Sequence, residues 1–456
     1  MQEWYEHWFI PSERITVSPS YGLFHFYSFA VTTGILIAII FAGYQFFKRG
    51  LKLETVLIGA VFAVPGGLFG ASFFGKLGNS GYSFWQLFAF WEAGLSIHGG
   101  LIGGAALGII AFYIIGRKEK VSLLTYMDCV LPHILLSQAI GRWGNFFNSE
   151  VVGRPAGLYS EGVLSWLPNF IRENMTFVFN GPYGSQIGTI NLVQGLEYVM
   201  HPIFLYESFW FTILWAFIVL LVPLIKNFAK NVPWKKDPQS FPIKKTAIPF
   251  NKIIQNENFE PKKYNVIAFE NDSSNEELFY MKNKDIWKKA YYKNIDKIAV
   301  LEYEEQMSEM SQKKGIKTHW QKGKALVKAN NPNDYLIMKV GVQSGFYFFA
   351  WNFVRVILES QRPTDNLFIS GNQTLSVIII ALIMAFGLLF VVLSQYITPY
   401  LFRKPGFVYE KEYFHTKLSL EKKTKDKTYS SSDIIEKNKL KEQKAKEKLD
   451  KILNKN

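Results

Sequence analysis

The sequence predicts an all-α polytopic membrane protein of seven transmembrane helices, with an outward-facing head segment and a cytoplasmic insert of α/β character. Three observations predict it. Apolar runs of about 20 residues, the length that crosses a bilayer at 1.5 Å rise per residue, recur along the chain. Hydrophobic residues make up 49% and aromatics 16% of the 456 residues, yet the formal net charge is +14, so apolar and basic segments must be kept apart. Lysines and arginines also cluster after alternate apolar runs.

The runs fall near Leu23–Phe47, Thr55–Phe74, Leu95–Ile115, Leu123–Ile140, Pro202–Ile225, Gly341–Leu358 and Leu375–Ile397. Gly66, Gly67 and Gly70 in the second, and Gly99, Gly100, Gly103 and Gly104 in the third, favour close helix packing over free lipid exposure. Lys48, Arg49 and Lys52 follow the first run, Arg117, Lys118 and Lys120 the third, Lys226, Lys230, Lys235 and Lys236 the fifth, and Arg403 and Lys404 the seventh. By the positive-inside rule the N-terminus is outside and the C-terminus cytoplasmic.

The organisation expected is therefore helices 1–5 over residues 1–225 with a head segment at about 142–200, an insert at 226–340, helices 6–7 over 341–400, and a basic tail at 401–456. Apolar patches at Tyr264–Phe269 and Ile298–Tyr303 suggest a small folded insert. Its lysine excess suits a solvated surface or anionic headgroups, and no nucleic-acid motif is present. The tail reads as a solvated helix or a disordered end, with Ser430–Asp433 as a possible cap. Met1–Glu6 lacks the basic start of a cleaved signal peptide. The single cysteine, Cys129, rules out an intramolecular disulfide and a C-x-x-C metal site, and no H-E-x-x-H pair occurs. Neither a metal nor another cofactor is expected.

The densest polar stretch is Gly141–Gly153, which holds Arg142, Asn145, Asn148 and Glu150 among three glycines. A planar guanidinium beside amides, with backbone left open by glycine, suits bidentate capture of a phosphate or carboxylate. Arg142, Arg154 and Arg362 are among the few outward arginines, which weakens the reading of a simple positive-inside anchor. His98, with Gly99 and Gly100, opens the third run, where an imidazole either satisfies a carbonyl or takes a proton near neutral pH; Glu92 is close enough in sequence to orient it. Tyr21 opens the first run, and taken alone is an aromatic-belt residue. Tyr206 and Glu207 open the fifth run after His201 and Pro202; Glu207 lies about one and a half turns in and needs a partner, with Arg142 and Arg355 as candidates. Arg355 and Glu359 are spaced for an i, i+4 pair near the end of the sixth run, and Arg362 could close on the anion held by Arg142.

Taken together, Gly141–Gly153, His98-Gly99-Gly100, His201-Pro202 with Leu205-Tyr206-Glu207, and Arg355 through Arg362 resemble the phosphatidylglycerol:prolipoprotein diacylglyceryl transferase family. The resemblance covers the seven-span core and neither the insert nor the tail. It departs at Gly70–Phe74, where many relatives carry an arginine and a tyrosine, and at Arg362-Pro363-Thr364-Asp365, which is shifted from the usual pattern.

The resemblance implies transfer of the diacylglyceryl group of phosphatidylglycerol to the lipobox cysteine of a prolipoprotein signal peptide, at the plasma membrane of a bacterium and among membrane lipids. It implies that Arg142 holds the lipid phosphate, that Asn145, Glu150 and Gly153 shape the site with Gly99 and Gly100 as further contacts, and that Arg362 is a second essential arginine. Tyr21 and His98 match the family's important tyrosine and histidine, the latter a proposed base. Tyr206, Glu207, Arg355 and Glu359 are supporting residues. The rival reading is a non-catalytic phospholipid transporter or flippase, which would also want arginines and glycines in a bundle but would release no glycerol phosphate.

Overall fold

A computed structural model describes residues 7–22, 24–77, 82–90, 96–187, 190–243, 280–363, 367–369 and 371–416. Glu92, Thr364, Asp365, Met1–Glu6, the Tyr264–Phe269 patch and the Ser430–Asp433 cap lie outside the described residues. The protein is a mostly helical membrane protein with a small sheet region.

The helices are α1 Phe26–Arg49, α2 Leu53–Lys76, α3 Ile97–Glu119, α4 Leu123–Phe147, α5 Asn169–Asn174, α6 Ile203–Ala216, α7 Pro233–Lys236, α8 Asn283–Trp287, α9 Lys297–Glu309, α10 Ile316–Asn330, α11 Val342–Glu359, α12 Gln373–Tyr396 and α13 Thr398–Phe402. Among the described residues six helices are long and apolar enough to cross a membrane: α1, α2, α3, α4, α6 with its continuation to Asn227, and α12. The sixth expected run forms α11, an 18-residue helix outside that set. Its composition explains this: Gln343, Ser344, Asn352 and Glu359 are polar and buried, so α11 meets other helices where a lipid-facing span would meet acyl chains.

Glycine sets the closest helix contacts. A Cβ on Gly70 would lie 2.4 Å from the Gly99 carbonyl of α3, and one on Gly103 would lie 2.3 Å from the Gly66 carbonyl of α2, so the two backbones touch along a seam that tolerates no side chain. Gly345 and Gly387 do the same for α11 and α12. At the end of the bundle near residues 119–128, Asp128 of α4 accepts from the Gly341 and Ser344 amides at 2.8 and 2.9 Å and from the Ser344 hydroxyl at 2.7 Å. A side chain 213 residues upstream thus caps the start of α11.

The sheet region lies at the other end of the bundle. Strands β1 Trp8–Phe9, β2 Ser20–Tyr21, β3 Phe24–His25, β4 Pro155–Leu158, β5 Thr176–Phe179, β6 Gln186–Ile187, β7 Ile190–Asn191 and β8 Glu197–Met200 include an antiparallel sheet of order β1-β5-β8-β4. Trp8, Phe177, Phe179 and Tyr198 from this sheet pack with Phe146 of α4 and Phe204 of α6, whose rings stack at 4.7 Å. The head is thereby seated on the two helices that carry Arg142 and Glu207.

Two expectations are corrected. Among its described residues the insert is helical, and Ile298–Tyr303 lies within α9, capped by Asp296 through the Ile298 and Ala299 amides. The start of the tail is not a solvated end: 403–416 folds back so that Tyr409, Tyr413 and Phe414 share a core with Tyr303 and Leu326. An Arg403–Glu410 ion pair at 2.6 Å fastens the fold-back.

Candidate active site

Helix α4 runs to Phe147, so Arg142 and Asn145 belong to the last turns of a spanning helix and not to a loop. Local sequence makes this possible: Gly144 packs where any Cβ would stand 3.1 Å from the Tyr27 backbone of α1. Phe26 stacks on Phe147 at 4.3 Å, closing the same contact one turn further on. The polar face of this end is then free to meet α6 and α11.

Glu207, fully buried in α6, is the hub. Arg142 Nε reaches its Oε2 at 2.7 Å, Arg362 Nη2 donates to its Oε1 at 2.5 Å, and Arg355 Nη1 stands 3.8 Å from Oε1. Glu359, also fully buried, accepts from Arg355 Nε at 3.0 Å and from the Phe368 amide at 2.6 Å, with Arg362 Nε at 3.8 Å. Among the described residues Glu207 and Glu359 thus draw three guanidiniums into one buried cluster.

Exposure orders the arginines. The Arg142 and Arg355 side chains keep 19% and 15% of their surface, whereas Arg362 keeps 3%. Arg362 is therefore held behind Glu207, and the guanidinium surface open to a ligand is that of Arg142 and Arg355. The two outward arginines expected to meet on a ligand meet instead on a protein carboxylate.

Next to this cluster, Asn145 Oδ1 accepts from Arg142 Nη1 at 3.5 Å and its Nδ2 donates to Glu150 at 3.1 Å, while Asn148 Nδ2 donates to the other Glu150 oxygen at 3.4 Å. Gly153 lies against the strand end before α6: its amide donates to the His201 carbonyl at 2.9 Å, and a Cβ would stand 2.7 Å from that oxygen. The His201 ring meets the Tyr206 hydroxyl at 3.3 Å, and burial lowers its pKa below the ordinary imidazole value, which keeps it neutral at physiological pH.

The other expected residues belong to α3 and the β2–β3 hairpin. Gly99 and Gly100 face α2, so their missing side chains serve helix packing. His98 is in the first turn of α3, after the Ser96 cap, and its side chain lies outside what is described. Tyr21 is 68% exposed in the β2–β3 hairpin, edge-on to Phe26 at 6.0 Å, and through that ring is linked to Phe147.

Sequence reasoning missed the latch made by Arg154, whose amide donates to the Gln361 carbonyl at 2.9 Å and whose Nη2 donates to Gln373 at 3.3 Å. Arg154 stood out as an outward arginine, but nothing in the sequence pairs it with residues more than 200 positions away. The latch ties the head to the segment that carries Arg362.

Residues 20–234 match the model of the family described as prolipoprotein diacylglyceryl transferase. A phosphatidylglycerol–prolipoprotein diacylglyceryl transferase of Oceanobacillus iheyensis is 32% identical over 218 residues, covering 46% of this chain and 68% of the relative. The chain belongs to the prolipoprotein diacylglyceryl transferase family. Relatives of the same name from Halalkalibacterium halodurans, 31% identical over 44% of this chain, and Clostridium perfringens, 33% identical over 40%, are each covered to 62% of their length. The family match ends at residue 234, within the first residues of the insert. Arg355, Glu359 and Arg362 lie beyond it, and the fold returns them to the matched Arg142 and Glu207.

Proposed function

We propose that this protein transfers the diacylglyceryl group of phosphatidylglycerol to the thiol of a lipobox cysteine in a prolipoprotein, forming a thioether and releasing glycerol phosphate. The observation that carries this is the cationic cluster on Glu207, with Arg142 and Arg355 presenting guanidinium surface where the spanning helices meet the head. The phosphate of phosphatidylglycerol is held at the partly exposed Arg142 guanidinium beside Arg355, with Arg362 adding to the field from behind.

The substrate cysteine, with an ordinary pKa of about 8.5, is mostly protonated at neutral pH, and a nearby base and cationic field raise its thiolate fraction. Its sulfur attacks the diacylglycerol carbon bonded to the phosphate oxygen. The S–C bond forms as the C–O bond breaks, the electron pair leaves with the phosphate, and the thiol proton goes to the base, for which His98 is the proposed residue. Negative charge grows on the departing phosphate in the transition state, so arginines positioned there favour that state over the bound substrate. Asn145, Glu150 and Gly153 hold the Arg142 end of α4 in register with α6, and Tyr21 borders the site through Phe26.

The lysine and arginine pattern supports an N-terminus outside, a head at the outer surface, and a cytoplasmic insert and C-terminus. In this arrangement α11 is a seventh membrane-embedded helix, and its polar face is supplied with partners by α4 and α6.

The test supplies purified protein with phosphatidylglycerol and a lipobox peptide and follows both products. The proposal expects a peptide mass increased by one diacylglyceryl group and an equal amount of glycerol phosphate. Lipid movement between leaflets with no glycerol phosphate would identify a transporter and overturn it.

A further inference from the structure

At the opposite end of the bundle from Arg142, the end of α3 and the turn into α4 face residues 402–409 across a cavity of about 530 Å³. A volume in this range suits a small organic ligand better than a single ion. Arg117, Lys120 and Lys404 line it together with Tyr113, Phe402 and Tyr409. Its walls are held by backbone: the Val408 amide donates to the Lys120 carbonyl at 2.8 Å and the Ser122 amide to the Val408 carbonyl at 3.0 Å. The Tyr409 hydroxyl accepts from the Lys404 amide at 2.8 Å.

Among the described residues the charge in this cavity has no acidic side chain lining it. The neighbouring carboxylates are engaged elsewhere, Glu119 with Lys52 at 3.1 Å and Tyr126 at 2.8 Å, and Glu410 with Arg403 at 2.6 Å. Arg117 rests on the Tyr113 ring, 5.8 Å from its centre, which leaves its positive charge uncancelled. Spanning helices α3 and α4 meet here, and Tyr113 and Phe402 are 50% and 70% exposed beside the cations. Exposed aromatic rings next to lysine and arginine at helix ends mark the boundary between acyl chains and water. Scattered anchoring cations would meet the positive-inside rule equally well, but they would not need to line one shared recess.

We infer that this cavity is a binding site for the headgroup of an anionic phospholipid from the leaflet at that end of the bundle. Arg117, Lys120 and Lys404 hold the phosphate, and Tyr113 and Phe402 lie along the glycerol and the first acyl carbons. The stretch of α4 from Leu123 to Arg142 separates it from the cluster by roughly 28 Å at 1.5 Å per residue, so it is distinct from the proposed transfer site. Basic recesses between membrane helices take anionic headgroups by the same chemistry.

The test uses the full-length protein in vesicles of phosphatidylcholine carrying a photoactivatable phosphatidylserine, with adducts mapped by peptide mass spectrometry. Adducts are expected on peptides covering residues 113–123 and 402–409, displaced by unlabelled phosphatidylserine and not by phosphatidylcholine or by inorganic phosphate. Each cation removed is expected to weaken binding about fivefold, so Arg117→Gln, Lys120→Gln and Lys404→Gln together should weaken it on the order of 100-fold. Thermal unfolding of that triple variant confirms that its fold is kept, and single Gln variants give the graded response should the triple variant not fold. Equal displacement by phosphatidylcholine would overturn the headgroup assignment. Displacement by inorganic phosphate alone would make the ligand a soluble anion and overturn the lipid assignment, and adducts unchanged in the variants would overturn the site itself.

Discussion

Replacing Glu207 by Gln removes the charge on which Arg142 and Arg362 meet while keeping nearly the same shape. At separations of 2.7 and 2.5 Å each attraction amounts to roughly 6 kcal/mol at an effective dielectric of about 20, and most of it is offset by the cost of burying the ions. Taking away one partner of such a buried set typically costs 3–5 kcal/mol, because Arg142 and Arg362 lose the carboxylate on which they meet. The expected result is a Glu207→Gln protein destabilised by about 3–5 kcal/mol in thermal or denaturant unfolding, against about 1 kcal/mol for Glu150→Gln, whose carboxylate is exposed and accepts only amide bonds. A second reading sharpens the test. Inorganic phosphate should stabilise Glu207→Gln more than the wild type, since it binds folded protein at guanidiniums the carboxylate no longer occupies. Unfolding within about 0.5 kcal/mol of wild type, with no added response to phosphate, would refute the hub.

Four further outcomes are expected. Asp128→Ala, which leaves the Gly341 and Ser344 amides and the Ser344 hydroxyl without their acceptor, should cost at least about 2 kcal/mol in unfolding and lower the transfer rate, because α11 carries Arg355. Gly153→Ala should lose about 1–3 kcal/mol of stability, since its Cβ would stand 2.7 Å from the His201 carbonyl oxygen; unchanged melting would count against that contact. A chain ended after residue 402 loses buried Tyr409, Tyr413 and Phe414 and the Arg403–Glu410 pair and should unfold several degrees below one ended after residue 416; equal melting of the two would count against the fold-back. Burial lowers the Lys411 amine pKa to about 8, below the roughly 10.4 of an unfolded lysine, so only the unfolded chain holds that proton between the two values. Wild-type stability relative to Lys411→Met should therefore be flat below about pH 8 and rise to about pH 10.4, as read by denaturant unfolding; a difference independent of pH would contradict the buried amine.

The bundle was legible in the sequence because long apolar runs and the Gly66, Gly70, Gly99 and Gly103 seam each have a direct physical consequence. Positions one or two turns inside a run, such as Glu207, were legible as ions in need of partners. The Arg142–Glu207 and Arg355–Glu207 contacts were legible as candidate partnerships, whereas Arg362 was expected on a ligand, because sequence spacing does not reveal that Glu207 also fills its meeting point with Arg142. The head sheet left no readable trace: its strands are two to four residues long, too short for alternation to emerge. Residues 403–416 were hidden for a related reason. Tyr409, Tyr413 and Phe414 follow neither a helical nor a strand period and stand among lysines and glutamates, so their burial depends on the distant surface of α9 and α10. Ile298–Tyr303 was ambiguous because short apolar patches suit a strand or a helix until a cap such as Asp296 decides.

The central claim is that Arg142 holds the phosphate that sulfur displaces. It is tested most directly by measuring glycerol phosphate release with a lipobox peptide for wild type, Arg142→Lys and Arg142→Ala, each confirmed as folded. The account predicts a loss of about 100-fold or more for Arg142→Ala and a partial loss for Arg142→Lys, which keeps the charge without the bidentate fork. Release by Arg142→Ala at the wild-type rate would contradict it.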